Sequence, residues 1–93
     1  MKSTVSLDSL IDRRPDIRGG RACIAGTGVT VRRIVQWYRL GHSPEDIAER
    51  IGHLSLAQVH AALAYYHANR ETIDEDLKEE AKAADALARQ HNA

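Results

Sequence analysis

Four helix-start signals at close spacing constrain this chain more than any other feature. Thr30 precedes Val31, Ile34, Val35 and Tyr38, an i, i+3, i+4, i+7 stripe, and Gly41 follows as a left-handed stop. A helix from about Thr30 to Leu40 is expected, with Arg32, Gln36 and Arg39 on its wet face. Ser43-Pro44-Glu45-Asp46 supplies a cap, a proline in the first helical position and acids on the positive helix end. Ile47, Ala48 and Ile51 form the second buried stripe, and Gly52-His53-Leu54 reads as a tight turn. Ser55 and Gln58 make a capping-box pattern ahead of Val59, Ala62, Leu63 and Tyr66. Thr72-Ile73-Asp74-Glu75 is a further capping box, predicting a separate helix over 73–90. Its stripe is thin, Ile73, Leu77, Ala81, Ala84 and Ala88 with Leu87 beside it. The pairs Asp74–Lys78 and Asp85–Arg89 are set to stitch its surface.

Ahead of these segments, residues 3–31 read as short strands and turns. Leu10-Ile11 and Cys23-Ile24 are candidate strand pairs, separated by Pro15-Asp16 and Gly19-Gly20. The expected class is mainly α (α+β): a short N-terminal hairpin over residues 1–29, a three-helix helix-turn-helix-like bundle over 30–69, and a C-terminal partner-binding helix over 70–93. The 93 residues include no Phe, one Trp and three Tyr, so the core must be aliphatic. A core this small is marginal alone, which makes a partner or a second copy a natural remedy. One cysteine excludes an internal disulfide and suits a reducing compartment. Met1-Lys2 leads into no apolar run of signal-peptide length and no segment reaches membrane-span length, so a cytoplasmic protein is expected.

The stretch that most resembles chemistry is GGRACIAGTGVTV, residues 19–31. It fails as a phosphate loop, because five residues separate Gly20 from Gly26 and no Lys-Ser/Thr follows. Gly26-Thr27-Gly28 has only a crude likeness to the dinucleotide fingerprint. Cys23, between Ala22 and Ile24, has no base in a recognisable signature and reads as a small buried hydrophobe. His60 and His67 are seven apart on one helix, about 10 Å by the helical rise, which is too far for two ligands of one zinc. The reading is a non-enzyme with no cofactor and no metal.

Net charge is zero, yet residues 1–42 carry +5 and residues 43–93 carry −5 with His neutral. One end therefore suits a polyanion and the other a basic partner. A helix-turn-helix would lay residues 55–68 in a major groove, with Ala57, Gln58, His60 and Ala61 towards the bases. That helix has no Lys or Arg before Arg70, and phosphate attraction supplies most affinity in such complexes. Any DNA contact must draw on Arg13, Arg14, Arg18, Arg21, Arg32, Arg33 and Arg39, most simply in a dimer. The candidate DNA-binding set is thus Arg21, Arg32, Arg33, Arg39, Gln58 and His60.

Residues 10–74 resemble a bacterial family, domain-of-unknown-function family 433. Its pattern runs Gly-x-Pro-x-Ile-x-Gly-Thr-Arg-[Ile/Val]-x-Val, then Gly-x-Ser/Thr-x-Glu-x-Ile, then Ala-Ala-Leu-x-Tyr-Tyr. Here these are residues 20–31, Gly41 to Ile47, and Ala61 to Tyr66, with Ala22 in place of the usual Pro and Gly28 in place of the usual Arg. Some members are similar to VapB-type antitoxins paired with PIN-domain-like ribonuclease toxins. The resemblance implies an antitoxin that neutralises such a toxin and binds its own operator DNA, and with it goes the expectation of a homodimer through the strands and first helix. The alternative is a stand-alone helix-turn-helix transcriptional regulator. On the antitoxin reading, Ile73, Leu77, Ala81, Ala84, Leu87 and Ala88 dock into an apolar groove of the toxin. The acidity of this segment would complement an RNA-attracting surface. Gly26-Thr27-Gly28 becomes the turn that delivers the chain into the first helix.

Overall fold

The structure is a computed structural model and describes residues 6–16 and 18–91. Two short strands, β1 (Ile11–Arg13) and β2 (Ala22–Ile24), form an antiparallel hairpin in which Ile11 faces Ile24, Asp12 faces Cys23 and Arg13 faces Ala22. A single 3-10 turn, Leu7–Leu10, leads into β1, so Leu10 ends that turn rather than opening the strand as its apolar pairing with Ile11 suggested. Its carbonyl nevertheless accepts from the Ala25 amide at 2.8 Å and lengthens the ladder. The pairing is short enough that a free hairpin would not persist. It holds because Ile24 is fully buried under the helices and Cys23 is nearly so.

The loop after β2 turns on Gly26 and Gly28, with φ of 77° and 71°. A Cβ built at Gly28 meets nothing within 4 Å, so the glycine contributes backbone angle rather than room. The Thr27 hydroxyl donates to the Ile24 carbonyl at 2.8 Å and accepts from the Val29 amide at 3.0 Å, closing the turn. Thr30 then caps α1 (Val31–Arg39), its hydroxyl accepting from the Arg33 amide at 3.1 Å. Ser43 caps α2 (Pro44–Ile51) in the same way through the Asp46 amide. Ser55 and Gln58 close a full capping box on α3 (Leu56–Ala68). The fourth helix, α4 (Arg70–His91), starts earlier than the Thr72 capping box predicted. Asn69 ends α3, and its carbonyl accepts the Ile73 amide at 3.2 Å, so one residue closes α3 and opens α4.

One core draws on the hairpin and on all four helices. Ile24, Val31, Ile34, Val35, Ile47, Val59, Ala62 and Tyr66 lie at its centre, and Ile73 and Leu77 of α4 pack onto its edge. Two positions differ from the periodic reading. Tyr38, assigned to the buried stripe of α1, is 41% exposed and sets its ring edge-on to His67. Its neighbour Trp37 is the one that packs on the core. Ala61, read as an early exposed residue of α3, is buried. From Lys78 onward α4 is exposed at every position described. It runs past the core, and the molecule measures 63 × 29 × 22 Å. No helix among the described residues is long and apolar enough to cross a membrane.

Candidate partner-binding face

α4 lies across α1, and three ties hold it there. Arg39 pairs with the Asp74 carboxylate and also donates to the Tyr66 hydroxyl at 3.1 Å. Tyr66 in turn donates to Asp74 at 2.9 Å. Arg39 and Arg70 both stand over the Tyr66 ring, 5.9 and 5.7 Å from its centre. The hydrogen bond to Tyr66, with the neighbouring Asp74 charge, raises the Arg39 pKa further above its ordinary value, so this guanidinium stays charged. Six residues further on, Glu80 pairs with Arg32 at 3.2 Å and accepts from the Gln36 side-chain amide at 3.3 Å. Asp74 against residue 39 and Glu80 against residues 32 and 36 define an antiparallel crossing.

Three residues of the expected DNA-binding set have partners within the chain. Arg32 and Arg39 stand on the wet face of α1, as the periodicity implied, and carboxylates of α4 pair with both guanidinium groups, although Arg39 stays exposed. The Gln58 side-chain carbonyl is likewise engaged, accepting from the Ser55 amide at 2.7 Å. Arg33 and His60 remain exposed, and Arg21 lies on the hairpin beside Arg13 in a cleft reaching Thr72 and Asp76 of α4. The six candidates therefore fall on separate faces: Arg32, Arg33 and Arg39 on α1, Gln58 and His60 on α3, Arg21 on the hairpin.

The expected docking stripe divides in the same manner. Ile73 and Leu77 are 6% and 8% exposed and belong to the core, so they cannot face a partner while α4 is seated. Ala81, Ala84, Leu87 and Ala88 are uncovered, with Leu87 58% exposed. The Asp85–Arg89 pair forms at 2.7 Å as its spacing suggested. Asp74 turns instead towards Arg39 and Arg70, which leaves Lys78 outside the ion pairs of the described residues. Beside the crossing, Arg33, Gln36, Trp37, Arg39, Leu40 and Leu77 line an open groove of about 560 Å³. Leu40 is 75% exposed at its mouth. No local spacing pointed to this groove, because it joins one flank of α1 to a helix thirty-odd residues later.

The family model described as a protein of unknown function, DUF433, matches residues 11–66, more than half of the chain. The chain belongs to the DUF433 family. The crystal structure of a DUF433 member protein from Anabaena variabilis ATCC 29413 is similar, with a TM-score of 0.70 and 28% identity. The similarity covers 77% of this chain and 71% of that one. No curated protein gives a significant match.

The DUF433 segment takes in the hairpin, the Gly26–Gly28 turn and the first three helices, and it ends at Tyr66. α4 lies beyond it. The Arg39–Tyr66–Asp74 clamp thus ties the family segment to the helix that follows. Cys23 sits buried in that segment and its thiol donates to the Arg21 carbonyl at 3.4 Å, in keeping with a packing role. Among the described residues no three His, Cys, Asp or Glu side chains converge as metal ligands would.

Proposed function

We propose that this DUF433 chain is a non-catalytic binding module of the antitoxin type, which grips a PIN-like ribonuclease with the overhanging part of α4. The observation that carries the reading is the division of one helix into two parts. Its first two turns seat Ile73 and Leu77 in the core, and the rest projects with an apolar strip of Ala81, Ala84, Leu87 and Ala88 uncovered. A helix held at one end has part of its ordering entropy already spent, so docking its free end into a groove costs less than folding an isolated tail. Glu79, Glu80 and Asp85 stand beside the strip together with Lys78, Lys82 and Arg89, so the overhang is charge-balanced and the reading rests on its apolar strip. Cytoplasmic location belongs to the same reading.

The test is co-expression with a short ribonuclease-like protein from the adjacent reading frame, comparing the full chain with residues 1–80. The cut falls after Glu80 because removal from residue 71 would strip Ile73 and Leu77 from the core. The full chain should restore growth and co-purify with the nuclease. The 1–80 chain should keep its helical circular dichroism per residue and lose both. Neutralisation by the 1–80 chain would reject the role given to the overhang.

Operator binding is a secondary part of the proposal and rests on Arg33 and Arg21, which are exposed and have no carboxylate partner among the described residues. Arg33→Ala should weaken duplex binding with a shallower salt dependence. An Arg32→Ala change should matter less, since Glu80 already holds that side chain. Absence of any salt-dependent shift on the upstream duplex would remove this part and leave the toxin reading standing.

A further inference from the structure

The hairpin and the α3–α4 junction line a cleft of about 420 Å³, a volume within the range of small-ligand pockets. One wall is the turn end of the hairpin, where Arg13 stands opposite Ala22 and Arg21 directly precedes it. The Arg13 Nε donates to the Gly20 carbonyl at 3.2 Å. Arg21 folds back over Gly19, so that a Cβ built on that glycine would lie 3.9 Å from its Nη1. Both guanidinium groups are thus gathered at Gly19-Gly20, and neither has a carboxylate partner among the described residues. Two like charges held at one turn without a counter-ion make a positive field that an anion relieves.

The other wall is one helical face. Asn69, Thr72, Ile73 and Asp76 follow i, i+3, i+4, i+7 spacing, a run of about 10 Å by the helical rise. Tyr65, half-buried near the end of α3, adds an aromatic ring to this wall. The Asn69 side-chain amide is spent on the Tyr65 carbonyl at 3.0 Å, which leaves its side-chain oxygen as an acceptor. Asp76 is half-buried and makes no ion pair or side-chain hydrogen bond among the described residues, although two unpaired arginines line the same cleft.

A ligand that satisfies both walls carries an anionic group for the arginines and hydrogen-bond donors for Asp76. Duplex DNA does not, because Asp76 would repel a continuous phosphate backbone. A bare phosphate leaves Asp76 without a donor. We propose that the cleft binds a guanine 5′-mononucleotide, its phosphate on Arg13 and Arg21 and its base edge on Asp76. The N1–H and N2–H groups of guanine are two parallel donors, and an ionised carboxylate offers two matching acceptors. Adenine presents an acceptor at N1, which the carboxylate repels. The Tyr65 ring gives the base an aromatic neighbour, while the Asn69 oxygen and the Thr72 hydroxyl remain for the ribose.

The proposal stands apart from the toxin reading and shares only Arg21 with operator binding, so its test contains no duplex. Amide NMR titration of the full chain with 5′-GMP at pH 7 provides that test. Shifts should saturate with a sub-millimolar dissociation constant and centre on Gly19 to Ala22 and Asn69 to Asp76. AMP should bind about tenfold more weakly, and inorganic phosphate more weakly again. Asp76→Asn should cost GMP about tenfold and leave inorganic phosphate unchanged, a split that mere unfolding would not produce. Arg21→Ala should weaken both ligands and keep the circular dichroism of the parent, since the side chain is exposed. The proposal is overturned if GMP gives no saturating shifts by about 1 mM. It is overturned equally by AMP or inorganic phosphate matching GMP, by shifts centred elsewhere, or by GMP binding indifferent to Asp76→Asn.

Discussion

Asp46 is the centre of a polar knot that joins α1 to α2. Its carboxylate accepts from Arg50 at 3.1 Å and from the His42 ring at 2.5 Å. Arg50 lies over the Trp37 ring, which also meets His42 edge-on. The hydrogen bond from Arg50, then that from His42, holds the Asp46 carboxyl below the usual carboxylate range. A depressed acid stabilises the fold above the unfolded carboxylate pKa, and that contribution is lost as pH falls through the folded value. The contribution is therefore fully present at neutral pH and disappears in acid. Melting curves for Asp46→Asn should show a lower Tm than the parent at pH 7, with the gap closing below about pH 4. An equal gap at both pH values would assign the effect to the helix start alone. At α1, Arg39→Ala removes the tie to both Tyr66 and Asp74. A loss of roughly 1 kcal/mol in urea unfolding is expected, since the groups are partly solvated.

At the scale of elements, α4 is two structures in one. Ile73→Ala or Leu77→Ala opens a space at the core edge and should cost about 2–4 kcal/mol in urea unfolding, while Leu87→Ala should stay within about 0.5 kcal/mol. Equal costs at Leu77 and Leu87 would contradict the division. The caps of the first three helices were legible because Thr30, Ser43 and Ser55 act on amides three residues away, a local matter that spacing encodes. The second strand was legible to within a residue because Gly19-Gly20 and Gly26 bracket it, whereas β1 runs two residues past the Leu10-Ile11 pair. The start of α4 was missed: Asn69 bridges α3 to α4 directly, and docking of Ile73 on the core extends the helix back past Thr72. The clamp was also hidden, since Arg39, Tyr66 and Asp74 meet only through the crossing of three helices. Four of the six expected docking residues are uncovered, but the pattern of Ile73, Leu77, Ala81 and Ala84 does not say where the core ends beneath it.

The whole molecule is an aliphatic core of four short elements with one long helix laid across it and continuing outward. Its opposite charges are not spread over two free surfaces. They meet where Asp74 and Glu80 lie on Arg39 and Arg32, so part of the charge asymmetry is consumed in seating α4. What remains available is the end of that helix, and the proposed role in gripping a toxin depends on its being anchored at one end and bare at the other. Amide hydrogen exchange along α4, in the dilute full-length chain, tests this most directly. Amides from Ile73 to Leu77 should be protected together with the core, and those from Lys82 to Gln90 should exchange orders of magnitude faster. Uniform protection along the helix, or uniform fraying from Arg70, would contradict the account.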